Sequence, residues 1–294
     1  MDAPEGLSKA PARAATRATT AVILARGLGT RMRADDGAPL TPEQRAAAAA
    51  GAKGLMPVNG HAMLDYVLHE LAEGGVKDVV FVVAPRETAL RGRYQGEARP
   101  SRLRVHFGVQ AEPRGTADAL AAVRDVVDLI GPHDADGVAH FLMLNADNLY
   151  PAESVAALVA LDGPGLVAYE DEALAEKGNI EPERIGAFAL LGLAPDGTLI
   201  EIVEKPAADH PLAMAEERWV SMNLWRFTSA IFDECSAVRP SLRGELELQD
   251  AVRSAIAHGT RFTAVRQRVG VLDLSRRSDV AGLEARLAGR VPRP

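Results

Sequence analysis

Thr20-Ala-Val-Ile-Leu-Ala-Arg-Gly-Leu-Gly-Thr-Arg-Met32 is the stretch that decides the fold. Thr20 to Ala25 is a short apolar run followed at once by two glycines, which reads as a buried strand running into a tight turn. Gly27 and Gly29 free the backbone to turn sharply and to set N–H groups against phosphate oxygens. Thr30 and Arg31 add a hydroxyl donor and a fork-shaped cation suited to a pyrophosphate. The turn is not a Walker A loop, since no Gly-Lys-Ser/Thr ends it, and it lacks the third glycine of the dinucleotide fingerprint. On the two glycines alone, a structural turn beside a surface arginine is the stronger explanation.

Outward from this stretch, strands and helices alternate. Asp78 to Ala84 is a continuous β-branched run, as expected of a parallel strand covered on both faces. Between the two, Met63 to Glu73 has helical periodicity and stops at Gly74-Gly75. Leu103 to Val109 and His140 to Leu144 read as further strands, with a helix expected over Ala117 to Val127. The alternation predicts a doubly wound α/β sheet. Thr41-Pro42-Glu43-Gln44 carries an N-cap, a first-turn proline and a capping-box glutamine, so residues 34–52 read as a loop plus a short surface helix. Leu190 to Glu204 reads as a hairpin turned at Pro195-Asp196-Gly197, and Glu245 to His258 as an amphipathic helix closed by Gly259. No linker separates independent domains.

The 294 residues, 47% hydrophobic and 25% charged, suit one globular enzyme domain that needs no disulfides. A single cysteine, Cys235, points to a reducing compartment, and a cytoplasmic location is expected. The net charge of −7 argues against nucleic-acid or anionic-membrane binding while leaving room for a small anionic substrate met by a local cluster of donors. No apolar run is long enough to span a bilayer. Met1 to Thr20 has no apolar core and does not read as a secretory signal. The expected organisation is an unstructured tail over 1–19 and one domain over 20–294, with a nucleotide-binding half to about 150 and a sugar-phosphate-binding half beyond it.

Leu24-Ala25-Arg26-Gly27-Leu28-Gly29-Thr30-Arg31-Met32 resembles the signature of the sugar-1-phosphate nucleotidyltransferases, or nucleoside-diphosphate-sugar pyrophosphorylases, although Arg26 stands where that family usually has a small residue. The similarity continues in order from Thr20 to about Leu287. It implies a Rossmann-like mixed sheet in a three-layer sandwich of the nucleotide-diphospho-sugar transferase type. Lys53-Gly-Leu-Met-Pro-Val-Asn-Gly60 resembles the family's Lys-Pro segment, with Gly54 for proline and a longer spacer after Arg31. Gln110-Ala-Glu-Pro-Arg-Gly-Thr-Ala-Asp118 resembles the base-reading segment, although Thr116 also suits a plain helix N-cap. An amide there offers a donor and an acceptor. Asn145-Ala-Asp-Asn148 resembles the motif whose aspartate holds Mg²⁺. Val271-Leu-Asp-Leu-Ser-Arg276 stands where the second metal ligand falls, without the usual Gly-Thr. Arg184-Ile-Gly-Ala-Phe188 and Ile202-Val-Glu-Lys-Pro206 resemble the sugar site, and Ser221-Met-Asn-Leu-Trp-Arg-Phe227 has Asn223 where a glycine is usual. Gly244 to Asp250 resembles a helix start that is chiefly structural.

The resemblance therefore implies these roles. Arg31, Lys53 and Lys205 are catalytic. Leu24, Ala25, Gly27, Gly29, Thr30, Gln110, Gly115 and Thr116 bind the nucleotide. Gly186, Glu204, Lys205 and Asn223 bind the sugar phosphate, and Asp147 and Asp273 hold Mg²⁺, oxygen ligands suiting a hard cation. The substrates implied are a nucleoside triphosphate and a sugar 1-phosphate, and a homo-oligomer is left open. A sugar phosphate is already anionic at neutral pH and needs no general base, in keeping with the lack of an evident catalytic histidine. Two alternatives stand beside this: a nucleotide-sugar-dependent glycosyltransferase, for which Asn145-Ala-Asp147 is half of an Asp-x-Asp motif, and a non-catalytic nucleotide-sugar sensor.

Overall fold

The structure is a computed structural model that describes residues 15–27, 29–186, 188–241 and 243–294. In chain order its strands are β1 (Thr20–Leu24), β2 (Pro57–Val58), β3 (His61–Ala62), β4 (Asp78–Val83), β5 (Arg104–Val109), β6 (His140–Asn145), β7 (Asn148–Leu149), β8 (Gly165–Glu170), β9 (Ala189–Leu193), β10 (Leu199–Val203), β11 (Trp219–Thr228), β12 (Thr263–Gln267) and β13 (Leu272–Asp273). One sheet runs β10-β9-β11-β6-β1-β4-β5, with β8 pairing to β11 and β12 to β8. β1 is parallel to β4 and β6, and β4 to β5. β11 is antiparallel to β6, β8 and β9.

Side chains alternate across this sheet as the period of two requires. β1 sends Ala21 and Ile23 into one apolar cluster and Val22 into the other, and β4 divides its residues likewise. The helices Met63–Glu73 and Ala152–Ala160 cover the first face, and Thr116–Ala121, Ile231–Ala237 and Leu248–Ala257 cover the second. The result is the expected three-layer mixed α/β sandwich. From β1 the chain moves outward to β4 and β5, then returns to β6 on the other side of β1. The loops after β1 and β6 therefore diverge, leaving a crevice at the carboxyl ends of the strands.

Local readings hold where the signal is local. The helix Met63–Glu73 ends as expected. Thr41 and Gln44 form a complete capping box at the head of the helix Pro42–Ala50. β9 and β10 form the expected hairpin. The helix expected over 117–127 is instead two, Thr116–Ala121 and Arg124–Ile130. At the break, Val123 fills the space of an absent side chain: a Cβ on Gly108 of β5 would lie 2.1 Å from its Cγ1. Tertiary packing overrides helical continuity there. The helix expected from Glu245 starts later, at Leu248.

Of the expected tail, residues 1–14 lie outside those described. Just before β1, Ala18 is fully buried and its N–H donates to Val159 O at 3.3 Å. No helix among the described residues is long and apolar enough to cross a membrane.

Candidate active site

The crevice holds a cavity of about 860 Å³ at the carboxyl ends of β1, β4, β5 and β6. Its walls bring together Leu24, Ala25, Gly27, Gly29, Thr30, Arg31, Lys53, Gln110, Gly115, Thr116 and Asp147. Arg31 and Asp147 thus face one shared space, although more than a hundred residues separate them.

Register puts them there. Leu24 pairs with Asn145 across the β1–β6 ladder, so the glycine turn leaves the sheet level with the segment that carries Asp147. Gly29 heads the helix Thr30–Arg33 with φ 62° and ψ 27°, in the left-handed region. A Cβ on it would sit 2.6 Å from Gly51 O, so backbone conformation and close approach both demand glycine. Gly27 has open space around it. Arg31 is exposed on the cavity and makes no hydrogen bond or ion pair among the described residues.

The longer spacer between Arg31 and Lys53 wraps around this turn. Arg33 donates to Ala50 O at 3.0 Å, and Arg277 holds Met32 O and the Asp35 carboxylate, each at 3.0 Å. Lys53 opens a short 3₁₀ turn and its Nζ lies 2.8 Å from Asp147 Oδ2, both side chains half-buried. Gly54 has a local reason: a Cβ there would be 2.4 Å from Leu64 Cδ1.

On the β5 side, Gln110 is buried and spends its amide N–H groups on Gly115 O at 3.1 Å and Asp118 Oδ2 at 2.8 Å. Gly115 has φ 127°, and a Cβ on it would lie 2.4 Å from Leu246 O. Its missing side chain makes room for the protein's own backbone. Thr116 does not cap its own helix, whose N-cap is Gly115. Its Oγ1 accepts from Leu248 N at 2.9 Å, at the head of the helix Leu248–Ala257.

Five of the expected residues lie off this cavity. Asp273 is the nearest in effect. β13 pairs with β7, which sets Asp273 opposite Asn148, and Leu274 N donates to Asp147 O at 2.9 Å. Its carboxylate is buried and fully engaged, Oδ1 by Asn148 Nδ2 at 3.0 Å and Ser275 Oγ at 3.1 Å, Oδ2 by Arg184 Nη2 at 2.6 Å. Burial, reinforced by the charges of Asp147 and Asp279, raises its proton affinity against the opposing pull of Ser275 and Arg184.

The residues expected to bind sugar phosphate are spread over other surroundings. Gly186 lines a second cavity of about 810 Å³, together with Pro206, Arg218 and the acids Asp171, Glu172, Glu176 and Glu183. Glu204 pairs with Arg243 at 3.3 Å, and burial followed by the charge of Glu247 raises its pKa. Lys205 has φ 44° and Asn223 φ 59°. Asn223 forms part of an irregularity in the β8–β11 register between Ser221 and Trp225, and its Oδ1 accepts from Trp225 Nε1 at 3.4 Å. Asparagine tolerates the left-handed region better than most residues, which explains how it stands in a glycine position.

Some side chains around the site carry no role in the sequence reading, Arg184, Glu245 and Arg26 among them. Arg184 binds both Asp273 and Asp279. Glu245 and Arg26 line the main cavity. The departure of Arg26 from the family's small residue was the one signal pointing to any of them.

Fold and cavity together define an α/β protein whose glycine turn opens on a crevice at the sheet's switch point. Residues 20–274 match the family described as nucleotidyl transferase, and the chain belongs to it, among the sugar-1-phosphate nucleotidyltransferases its signature resembles. It is 28% identical over 271 residues to UTP–glucose-1-phosphate uridylyltransferase AglF of Haloferax volcanii, covering 91% of this chain and 96% of the relative. It is 24% identical over 244 residues to glucose-1-phosphate thymidylyltransferase of Neisseria gonorrhoeae, covering 81% and 72%. The fold matches a UDP-glucose pyrophosphorylase complexed with UDP-glucose at a TM-score of 0.67 and 16% identity, over 91% of this chain and 97% of the other.

Proposed function

We propose that this chain transfers a nucleoside monophosphate from a nucleoside triphosphate to a sugar 1-phosphate, forming a nucleotide sugar and releasing pyrophosphate. The observation that carries this is the single cavity shared by the Gly27–Gly29 turn, the free cation of Arg31, and the Lys53–Asp147 pair. Two polyanions have to be held in line, and the work is positioning and charge neutralisation.

In this proposal Gly27, Gly29 and Thr30 cradle the triphosphate, and Arg31 stabilises charge gathering on the departing pyrophosphate. Lys53, freed from Asp147, meets a phosphate oxygen. Gln110 has only its carbonyl oxygen left, which suits an N–H of the base, such as that of uracil or thymine. Gly186, Glu204, Lys205 and Asn223 take the sugar phosphate. Because they do not line the main cavity, the sugar side needs an adjustment of the β10–β11 region on binding.

Asp147 lines the cavity and Asp273 stands on the adjoining segment, where Leu274 N donates to Asp147 O at 2.9 Å; their carboxylate oxygens suit a hard divalent cation once Arg184 gives up Asp273 Oδ2. They are the residues that would hold Mg²⁺, which supplies neutralisation of phosphate charge when bound. The names of the relatives make UTP or dTTP with glucose 1-phosphate the first pair to test. The test is pyrophosphate release with Mg²⁺ across a panel of triphosphates and sugar 1-phosphates. Release that requires both substrates supports transfer. Nucleotide-sugar hydrolysis, or binding without turnover, overturns it in favour of a glycosyltransferase or a sensor.

A further inference from the structure

Arg26 is the first residue of the loop after Ala25, and it is half-buried. It crosses from β1 over the end of β4 to the loop after β5, where Nη2 donates to Ala111 O at 2.9 Å. Two inter-strand spacings, roughly 10 Å, separate β1 from β5 at this level. Arg26 lines the cavity, its Nε and Nη1 are buried, and neither has a hydrogen-bond partner. It forms no ion pair among the described residues. Nε and Nη1 are closed off by protein, so the donor Arg26 can offer a ligand in the cavity is the second N–H of Nη2, the first being given to Ala111 O.

Its place in the cavity says which part of a ligand supplies that acceptor. The Lys53–Asp147 pair stands at the β6 end of the crevice, on the other side of β1. Arg26 is anchored instead to the residue after Gln110, whose own amide N–H groups are already spent. One wall therefore presents a fixed donor from Arg26 Nη2 beside a lone acceptor from Gln110. We infer that Arg26 is a specificity-determining residue that donates to a ring carbonyl oxygen of the base, favouring a base whose edge sets C=O beside N–H, as uracil and thymine do. This rests on the proposed nucleotidyltransfer and deepens it. An exocyclic amine turned to the same wall would set donor against donor.

The test is calorimetric binding of UTP, CTP and inorganic tripolyphosphate to wild type, Arg26→Ala and Arg26→Lys, with thermal melts as the check on folding. Losing a charge-assisted hydrogen bond corresponds to roughly a 10- to 100-fold weaker affinity. Arg26→Ala is expected to lose that much for UTP, to narrow the UTP-to-CTP preference, and to bind tripolyphosphate as wild type does. Arg26→Lys, keeping the charge without the fork, is expected to fall between. An equal loss for UTP and tripolyphosphate would make Arg26 a phosphate clamp and overturn the inference. Unchanged UTP affinity and preference would make it a structural tether and do the same. Failure of the wild type to release pyrophosphate with any pair would count against the nucleotidyltransfer itself, separately from these outcomes.

Discussion

Replacing Gly29 with alanine, alongside the same change at Gly27, separates what the glycine turn does for the fold from what it does for a ligand. At Gly29 an alanine must adopt φ 62°, which costs an L-residue about 1–2 kcal/mol. Its Cβ would also lie 2.6 Å from Gly51 O and 2.8 Å from Gly51 Cα, backbone atoms that cannot rotate away. Overpacking of that kind costs about 1–3 kcal/mol, so Gly29→Ala is expected to lose about 2–5 kcal/mol in all. That is a large part of the roughly 5–15 kcal/mol that holds a domain folded. At Gly27 no atom of the described residues beyond its chain neighbours lies within 4 Å of the added methyl, so stability should stay within about 0.5 kcal/mol of wild type. The methyl then stands on the cavity wall, and triphosphate affinity should fall roughly tenfold, the equivalent of about 1.4 kcal/mol. Urea unfolding followed by circular dichroism gives the first quantity and calorimetric titration the second. A wild-type unfolding midpoint for Gly29→Ala, or wild-type nucleotide affinity for Gly27→Ala, refutes the reasoning.

Asp147→Asn should lower the rate of pyrophosphate release by about 100-fold or more with the circular dichroism spectrum unchanged; a variant keeping most of the activity would remove Asp147 from the chemistry. Arg184→Gln leaves Asp273 and Asp279, both buried, without their shared cation, and should cost about 3–5 kcal/mol in urea unfolding. An unfolding midpoint within error of wild type would show that these carboxylates find other partners. Burial pushes the Cys235 thiol up to about 12, so at pH 8 the thiolate is scarce; a thiol reagent should label the native protein slowly and the urea-unfolded protein promptly. Prompt labelling of the native state would show an open site around Cys235.

β1 and β4 were legible because a parallel strand covered on both faces is apolar throughout, with no alternation to misread. The glycine turn was legible because it follows such a strand directly. The break at Val123 was not, since its cause is Gly108 on a neighbouring strand. The ties of Arg184 to Asp273 and Asp279 join residues about ninety positions apart and leave no periodic trace. Asn223 was read as a departure from glycine, and the structure gives it a backbone both residues can adopt. Gly115 stands among the nucleotide-binding residues that the resemblance implies, and the room its missing side chain leaves is also taken by Leu246. What sequence spacing conveys is the order of elements along the sheet. What it omits is which backbone fills the space that a small residue leaves.

The charge balance of the cavity bears on how substrates enter it. Arg26, Arg31, Arg33 and Lys53 face Glu87, Asp147 and Glu245 along its walls, a balance of about +1 in a protein whose net charge is −7. So small an excess does not by itself hold two polyanions together. Nor is it all available, because Lys53 is committed to Asp147. Lys53 cannot neutralise that carboxylate and a phosphate with the same strength at once. If a second cation takes Asp147, Lys53 is released to the substrate, and on the proposed function that cation is Mg²⁺. Nucleotide and metal are then coupled by linkage, each tightening the other by the same factor. Replacing Lys53 with methionine removes the exchange, so the gain in nucleotide affinity on adding Mg²⁺ should shrink in that variant. An equal gain in both proteins would mean that the Lys53–Asp147 bridge is a structural tie that substrate binding leaves closed.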